Sequence, residues 1–310
     1  MKLNTLGQFL RFYREKYSFR QDKVCSGICS VATLSKVENG SKIIDSLAAE
    51  CLLGRIGKEV LQFEILLNDN DYYLWRNRCE IQKLLENEKF DELRDRIGLY
   101  RKQMPQEDVH EQFCLFYEAQ AAIKERKASE EICEMLYGAL KLTKPEMDSG
   151  NEENILYNSM EIKLILQLIH YNYPMWEDRD KESELLKLFH YTETVYTGRQ
   201  KEKTGVEILL ELINFELVLG KDLHAIAYVD KAVTLISQGR GIENIAELHF
   251  IKAKAIERVY HEKVQWKEME RVCKEECLMA YYVFDILGQE SEKMEVQQFC
   301  EGKLEWQIIE

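Results

Sequence analysis

Residues 30–42 read SVATLSKVENGSK, and the fold of the N-terminal part turns on them. Ser30 is a good N-cap, because its hydroxyl can accept from an amide of the first helical turn. Leu34 and Val37 lie three apart on the helix VATLSKVE and can be buried together. Val31, Ala32, Ser35 and Lys36 are then left facing outward. Asn39-Gly40 ends the helix, since glycine takes the left-handed conformation at little cost.

The neighbouring sequence supplies partners for that helix. Leu3, Leu6 and Leu10, with Phe9 or Tyr13, share one face of a helix over about 4–16. Arg11, Arg14 and Lys16 fall largely off that face. RQDKVCS (20–26) fits a short second helix, and Gly27-Ile28-Cys29 a tight connection. A fourth helix over about 45–56 turns Leu47, Cys51 and Leu52 inward. Two short helices joined tightly, the second exposing small side chains, have the physical form of a helix-turn-helix. The second helix of such a pair can enter the major groove N-terminus first.

Charge sets this segment apart. Residues 1–60 hold ten Lys or Arg against six Asp or Glu, a balance of +4 in a chain of net charge −13, which leaves −17 on the rest. A basic head on an acidic body suggests that only the head favours a polyanion.

The 310 residues allow more than one domain. Three prolines, Pro105, Pro145 and Pro174, with abundant Leu, Glu, Lys and Ile, favour an all-α protein. No apolar run approaches the ~18 residues of a membrane span, and the first residues lack the apolar core of a signal peptide. With nine scattered cysteines, a cytoplasmic protein with reduced thiols is expected.

From residue 72 onward helix follows helix. The expected pairs are 72–87 with 89–103, 107–126 with 129–143, 152–172 with 180–197, 202–219 with 221–238, and 242–262 with 265–288, then a last helix over 291–308. A period of roughly 35–45 residues per pair is that of a helical solenoid. Phe90 and Leu93 in LLENEKFDEL, Gly220 with Ala225, Ala227 and Ala232, and Ala246, Phe250, Ala253, Ala255 and Ile256 all suit tetratricopeptide-type packing, in which small residues let helices approach. The expected division is 1–62 as a helix-turn-helix domain, 63–71 as a linker and 72–310 as a repeat domain for sensing and dimerisation.

Residues 3–57, and above all LGQFLRFYREKYSFRQDKVCSGICSVATLSKVENG, resemble the XRE-family helix-turn-helix. The resemblance implies that Gln21 and Asn39 hold phosphates, that Val31, Ala32, Thr33 and Lys36 face base edges, and that Ser30 caps the helix and touches backbone. The sequence departs from the family at Arg20, where a Ser or Thr cap is usual, which adds a possible phosphate ligand. Val31 and Ala32 can touch a thymine methyl but cannot make bidentate bonds to a base. Ile43-Ile44 stand where a proline is common.

An XRE-type head followed by degenerate tetratricopeptide-like repeats resembles the RRNPP (Rgg/PlcR-like) peptide-responsive regulators of Gram-positive bacteria, which act in quorum sensing. The resemblance implies a homodimer that binds double-stranded DNA, with the repeats in a right-handed superhelix whose concave groove takes a short signalling peptide. Side-chain amides suit a peptide backbone because they donate and accept at once. Asn154, Asn158, Glu161, Glu211 and Asn214 are the groove candidates. One alternative is a helical-repeat interaction scaffold with a weak or vestigial DNA-binding head. Another is an enzyme such as a peptide-regulated phosphatase of related repeat families.

Catalytic signatures are lacking: no phosphate-binding loop, no H-E-x-x-H, no nucleophile elbow. The six histidines show no constellation with Cys or carboxylates, and the pairs Cys25/Cys29 and Cys273/Cys277 lack further metal ligands. No enzyme activity, cofactor, metal or membrane partner is therefore expected. Trp75, Trp176, Trp266 and Trp306 are expected to pack between helices.

Overall fold

The computed structural model describes residues 6–58, 69–145, 156–174, 181–239, 242 and 244–308. Among the described residues there are fifteen α-helices and no strand. The chain is all-α, with a helix-turn-helix head followed by tetratricopeptide-like repeats. It divides into two compact units, Met1–Arg179 with Thr194–Gln200, and Asp180–Glu193 with Lys201–Glu310.

The first unit holds α1 (Leu6–Lys16), α2 (Gln21–Cys25), α3 (Val31–Glu38), α4 (Ser46–Arg55), α5 (Asp69–Glu86), α6 (Phe90–Arg101), α7 (Asp108–Lys124), α8 (Ser129–Thr143) and α9 (Ser159–His170). Gly7 lets α1 press against the end of α3, where a Cβ would sit 1.8 Å from the Val37 carbonyl oxygen. Leu10, Leu34, Leu52 and Leu53 are buried between these helices. In the repeats α5 packs on α6, α7 on α8 and α8 on α9, and buried Ala119, Ala122 and Ala139 keep α7 and α8 close. The α4 helix packs on α7, so head and first repeats share one compact unit.

The second unit contains most of α10 (Lys181–Val195) and α11 (Gly198–Val218), then α12 (Asp222–Gly239), α13 (Ile245–Tyr260), α14 (Trp266–Ile286) and α15 (Glu290–Lys303). Ala246, Phe250, Ala253, Ile256, Cys273, Cys277, Ala280 and Cys300 are buried in its core, with Trp266 and Trp306 packed against them. All nine cysteines are free thiols.

One backbone device recurs. After α5, α7, α9, α11 and α14, the residues Glu88, Arg126, Asn172, Gly220 and Gly288 take φ of 54° to 69°. At each, the next amide bonds back across the last turn (Lys89 to Leu84, Lys127 to Ala122, Tyr173 to Leu168, Lys221 to Glu216, Gln289 to Phe284), with N···O of 2.9–3.0 Å. This is the Schellman closure. The repetition is one of backbone conformation, and only two of its five positions are glycine.

Some expectations need correction. The helix read from 152 begins at Ser159, because Asn158 is its N-cap and pairs with Glu161 in a reciprocal capping box. Trp75 and Ala227 are exposed rather than packed. Trp176 and Asn154 lie outside the described residues, as does most of the segment 63–71.

Candidate nucleic-acid interface

The α3 helix is braced from within. The Glu38 carboxylate is 4% exposed as a residue and accepts from Arg14 Nε at 2.6 Å, Arg14 Nη2 at 2.9 Å and Gln21 Nε2 at 2.7 Å. Arg14 Nη1 also donates to the Phe19 carbonyl at 3.1 Å. One acidic side chain thereby ties α1, α2 and α3, and its bonds to a cation hold more strongly than neutral ones.

The outward side of α3 then has a defined attitude. Val31 (44% exposed), Ala32 and Lys36 face solvent, and Thr33 is half-buried. Ser30 Oγ accepts from the Thr33 amide at 3.1 Å and meets Thr33 Oγ1 at 3.1 Å. Gly40 closes the helix at φ 72°. Such a face offers methyls, a hydroxyl and an ammonium, which suit thymine methyls, base-edge acceptors and phosphates.

Three of the expected phosphate ligands are engaged within the chain. Arg20 forms a two-point pair with Asp22, both contacts at 2.9 Å. Gln21 donates to Glu38 as above. Asn39 Oδ1 accepts from Arg11 Nη1 at 3.4 Å. Arg20 and Asn39 remain exposed, so their pairs can exchange for phosphate at little cost, whereas Gln21 belongs to the brace.

The head is anchored by Arg55, which sequence patterning does not single out, and by Glu161, expected in the groove. Arg55 and Glu161 have fully buried side chains paired at 2.6 Å. Arg55 also donates to the carbonyls of Val24 (2.9 Å), Ser26 (2.6 Å) and Thr143 (3.3 Å). Gly27 makes a close approach at the same place, since a Cβ there would lie 2.2 Å from the Thr143 oxygen. Lys144 Nζ lies 3.5 Å from Glu161 and donates to the Leu156 carbonyl. Burial pushes its ammonium down to about 7, against the pull of Glu161. Burial alone would raise Glu161, but the Arg55 and Lys144 charges and the Asn158 amide bring its carboxyl below the usual range.

A second anchor joins α4 to α7. Asp45 caps α4 through the amides of Leu47 and Ala48 at 2.9 and 3.1 Å, and its Oδ1 also lies 2.9 Å from His110 Nε2. Because an ionised carboxylate only accepts, Nε2 carries the proton and Nδ1 accepts from the Tyr100 hydroxyl at 2.6 Å. Against the cost of burial, bonds from His110, from the Glu107 carboxyl and from the Ala48 amide hold Asp45 below the usual carboxylate range.

Of the groove candidates, Asn158 and Glu161 are spent on the capping box and the buried ion pair, so they are not open to a peptide. Glu211 is half-buried and Asn214 exposed on α11. The histidines also require correction: His110 lies with Asp45 and Glu107, His224 with Glu182 and Glu216, and His249 beside Glu276. Asp45 and Glu276 lie 65 and 27 residues from their histidines, beyond the reach of local spacing, although Glu107 stands only three before His110. The box Asn158-x-x-Glu161 was a readable signal.

No protein-family model matches the chain, and no curated protein does. Solved structures do. PlcR of Bacillus thuringiensis in complex with the peptide PapR7 and DNA is 13% identical, with a TM-score of 0.56 over 95% of this chain and 99% of that one. Apo PlcR gives 12% identity and a TM-score of 0.56 over 94% and 97%. The apo competence regulator ComR of Streptococcus vestibularis gives 14% and 0.47 over 96% and 97%. The chain is thus similar in fold to PlcR over nearly its whole length, and the resemblance to the RRNPP regulators seen in its sequence extends to its structure.

Proposed function

We propose that the chain is a sequence-specific DNA-binding transcription regulator that acts as a homodimer and is controlled by a short peptide taken up by its helical repeats. The exposed face of α3 carries the reading: Val31, Ala32, Thr33 and Lys36 are presented on a helix fixed by the buried Glu38 brace. Lys36, Arg20 and Asn39 contact phosphate or base edges, and Ser30 caps the helix at the backbone. Glu211 and Asn214 are the peptide candidates that remain. The fold likeness to PlcR, solved with a peptide and DNA, supports the reading.

Genome-wide DNA capture by the full chain at a stated physiological salt tests it, since electrostatic binding falls steeply with salt. Discrete inverted-repeat sites, lost in Thr33→Ala/Lys36→Ala, are expected. Sites that persist unchanged in the double variant would overturn the assignment of α3.

The commitment of Arg20 to Asp22 and of Gln21 to Glu38 favours a second reading. In it the repeats are a scaffold for a partner protein and the head is vestigial. No enriched DNA sites, together with a protein co-purifying at fixed stoichiometry, would select it.

A further inference from the structure

Asp45, Glu107 and His110 come together where α4 meets α7, and each offers one ligand atom within 4.8 Å of the other two. The side chain of His110 is fully buried and that of Asp45 is 10% exposed. Asp45 Oδ2 and Glu107 Oε2 are both buried and, as carboxylates, have no hydrogen-bond partner. Two carboxylates facing one another out of water need a proton or a cation between them; burial and the facing Asp45 push Glu107 up to about 7, so an entering cation takes the place of that proton. An imidazole nitrogen completes a mixed nitrogen and oxygen set.

We propose that Asp45, Glu107 and His110 form a binding site for a divalent first-row transition-metal ion. Imidazole with carboxylates suits such an ion better than Mg²⁺ or Ca²⁺, which prefer all-oxygen sets. Asp45 Oδ2 is the natural donor, because Oδ1 already caps α4. His110 binds through Nε2 once its proton has moved to Nδ1, where the Tyr100 oxygen, 2.6 Å away, accepts it. That partner holds the ring in its liganding orientation. The ion links the head's α4 to α7 of the repeats within one compact unit.

A second cluster of the same residue types, Glu182, Glu216 and His224, provides the contrast. There Lys221 Nζ stands 3.5 Å from Glu182 and 3.6 Å from Glu216, so an ammonium already supplies the positive charge.

Cobalt(II) titrated into the chelator-stripped full chain tests the site, read by absorbance and by calorimetry. Wild type is expected to take up one ion with d–d bands and no thiolate charge-transfer band, and to gain thermal stability. Glu107→Gln is expected to weaken uptake by at least about tenfold. This variant should fold, since Glu107 precedes α7 without a side-chain cap bond. Glu182→Gln is expected to leave uptake unchanged. No uptake by wild type, a thiolate band, or uptake lost in Glu182→Gln but not in Glu107→Gln would each overturn the proposal.

Discussion

Arg55 and Glu161 are separated by 106 residues in the chain, yet their side chains form a wholly buried ion pair at 2.6 Å. Arg55 ends α4 of the head and Glu161 opens α9 of the repeats. The same guanidinium holds the carbonyls of Val24 and Ser26 in the approach to α3. The pair thus ties the first turn of α9 to the segment that leads into α3.

Removing one partner leaves a buried charge unpaired. Arg55→Met is expected to cost about 3–5 kcal/mol of folding stability, because the buried Glu161 carboxylate keeps only Lys144 and the Asn158 amide while the carbonyls of Val24, Ser26 and Thr143 lose their donor. Arg55→Met combined with Glu161→Gln should cost less than the two single losses added. Denaturant titration of the four proteins measures that coupling. Strict additivity would mean that the pair contributes nothing as a pair.

Alkaline pH should strengthen the fold through Lys144. Its ammonium sits at about 7 in the folded chain against a usual 10.5. Between those values the unfolded chain binds more protons, so stability rises with pH across that window and is flat below it. Lys144→Met removes the rise. The difference between wild-type and variant melting temperatures, followed from pH 6 to 10, reports this group alone. A difference that does not change with pH counts against the shift.

Acid acts in the opposite sense through Glu161. Its carboxyl is held below the ordinary value, so its contribution is present above the unfolded pKa and is lost as pH falls through the folded one. Glu161→Gln is therefore expected to flatten the acid limb of the stability curve, as seen by circular dichroism.

The recurrent helix closures place Glu88 and Arg126 at φ 57°, where a Cβ costs about 1–2 kcal/mol. Glycine relieves that strain and loses about 0.5–1 kcal/mol in chain entropy. Glu88→Gly and Arg126→Gly should each be neutral to stabilising by up to about 1 kcal/mol. A clear drop in melting temperature for either would show that its side chain matters more than its backbone.

Gly7→Ala should do the reverse. Its Cβ would meet the Val37 carbonyl oxygen at 1.8 Å, so α1 must move off α3 at a cost of about 1–3 kcal/mol. Faster amide exchange confined to the head is the expected signature. Unchanged protection of α1 and α3 would contradict the close approach.

Much of this was legible in the sequence. Ser30 as a cap, Gly40 as a stop, and the Leu34/Val37 edge all act over a few neighbouring residues, so the head helices stand nearly where the sequence places them, while Asp45 as the cap of the fourth is not read there. The alternation of helices beyond residue 72 was legible for the same reason, because each is ended by its own turn. Asn158 and Glu161 were misread as groove residues although their spacing is that of a capping box.

Local spacing determined where helices begin and end, and which edge of each is apolar. Tertiary structure alone decided what the polar residues do. Arg14, Arg55, His110 and Lys144 look alike to any periodicity, since each is one charged or polar residue on a helix or at its end. Which becomes a brace or an anchor depends on a carboxylate brought up from 17 (Lys144 to Glu161) to 106 residues away (Arg55 to Glu161), and on the loss of water that makes such a pairing obligatory.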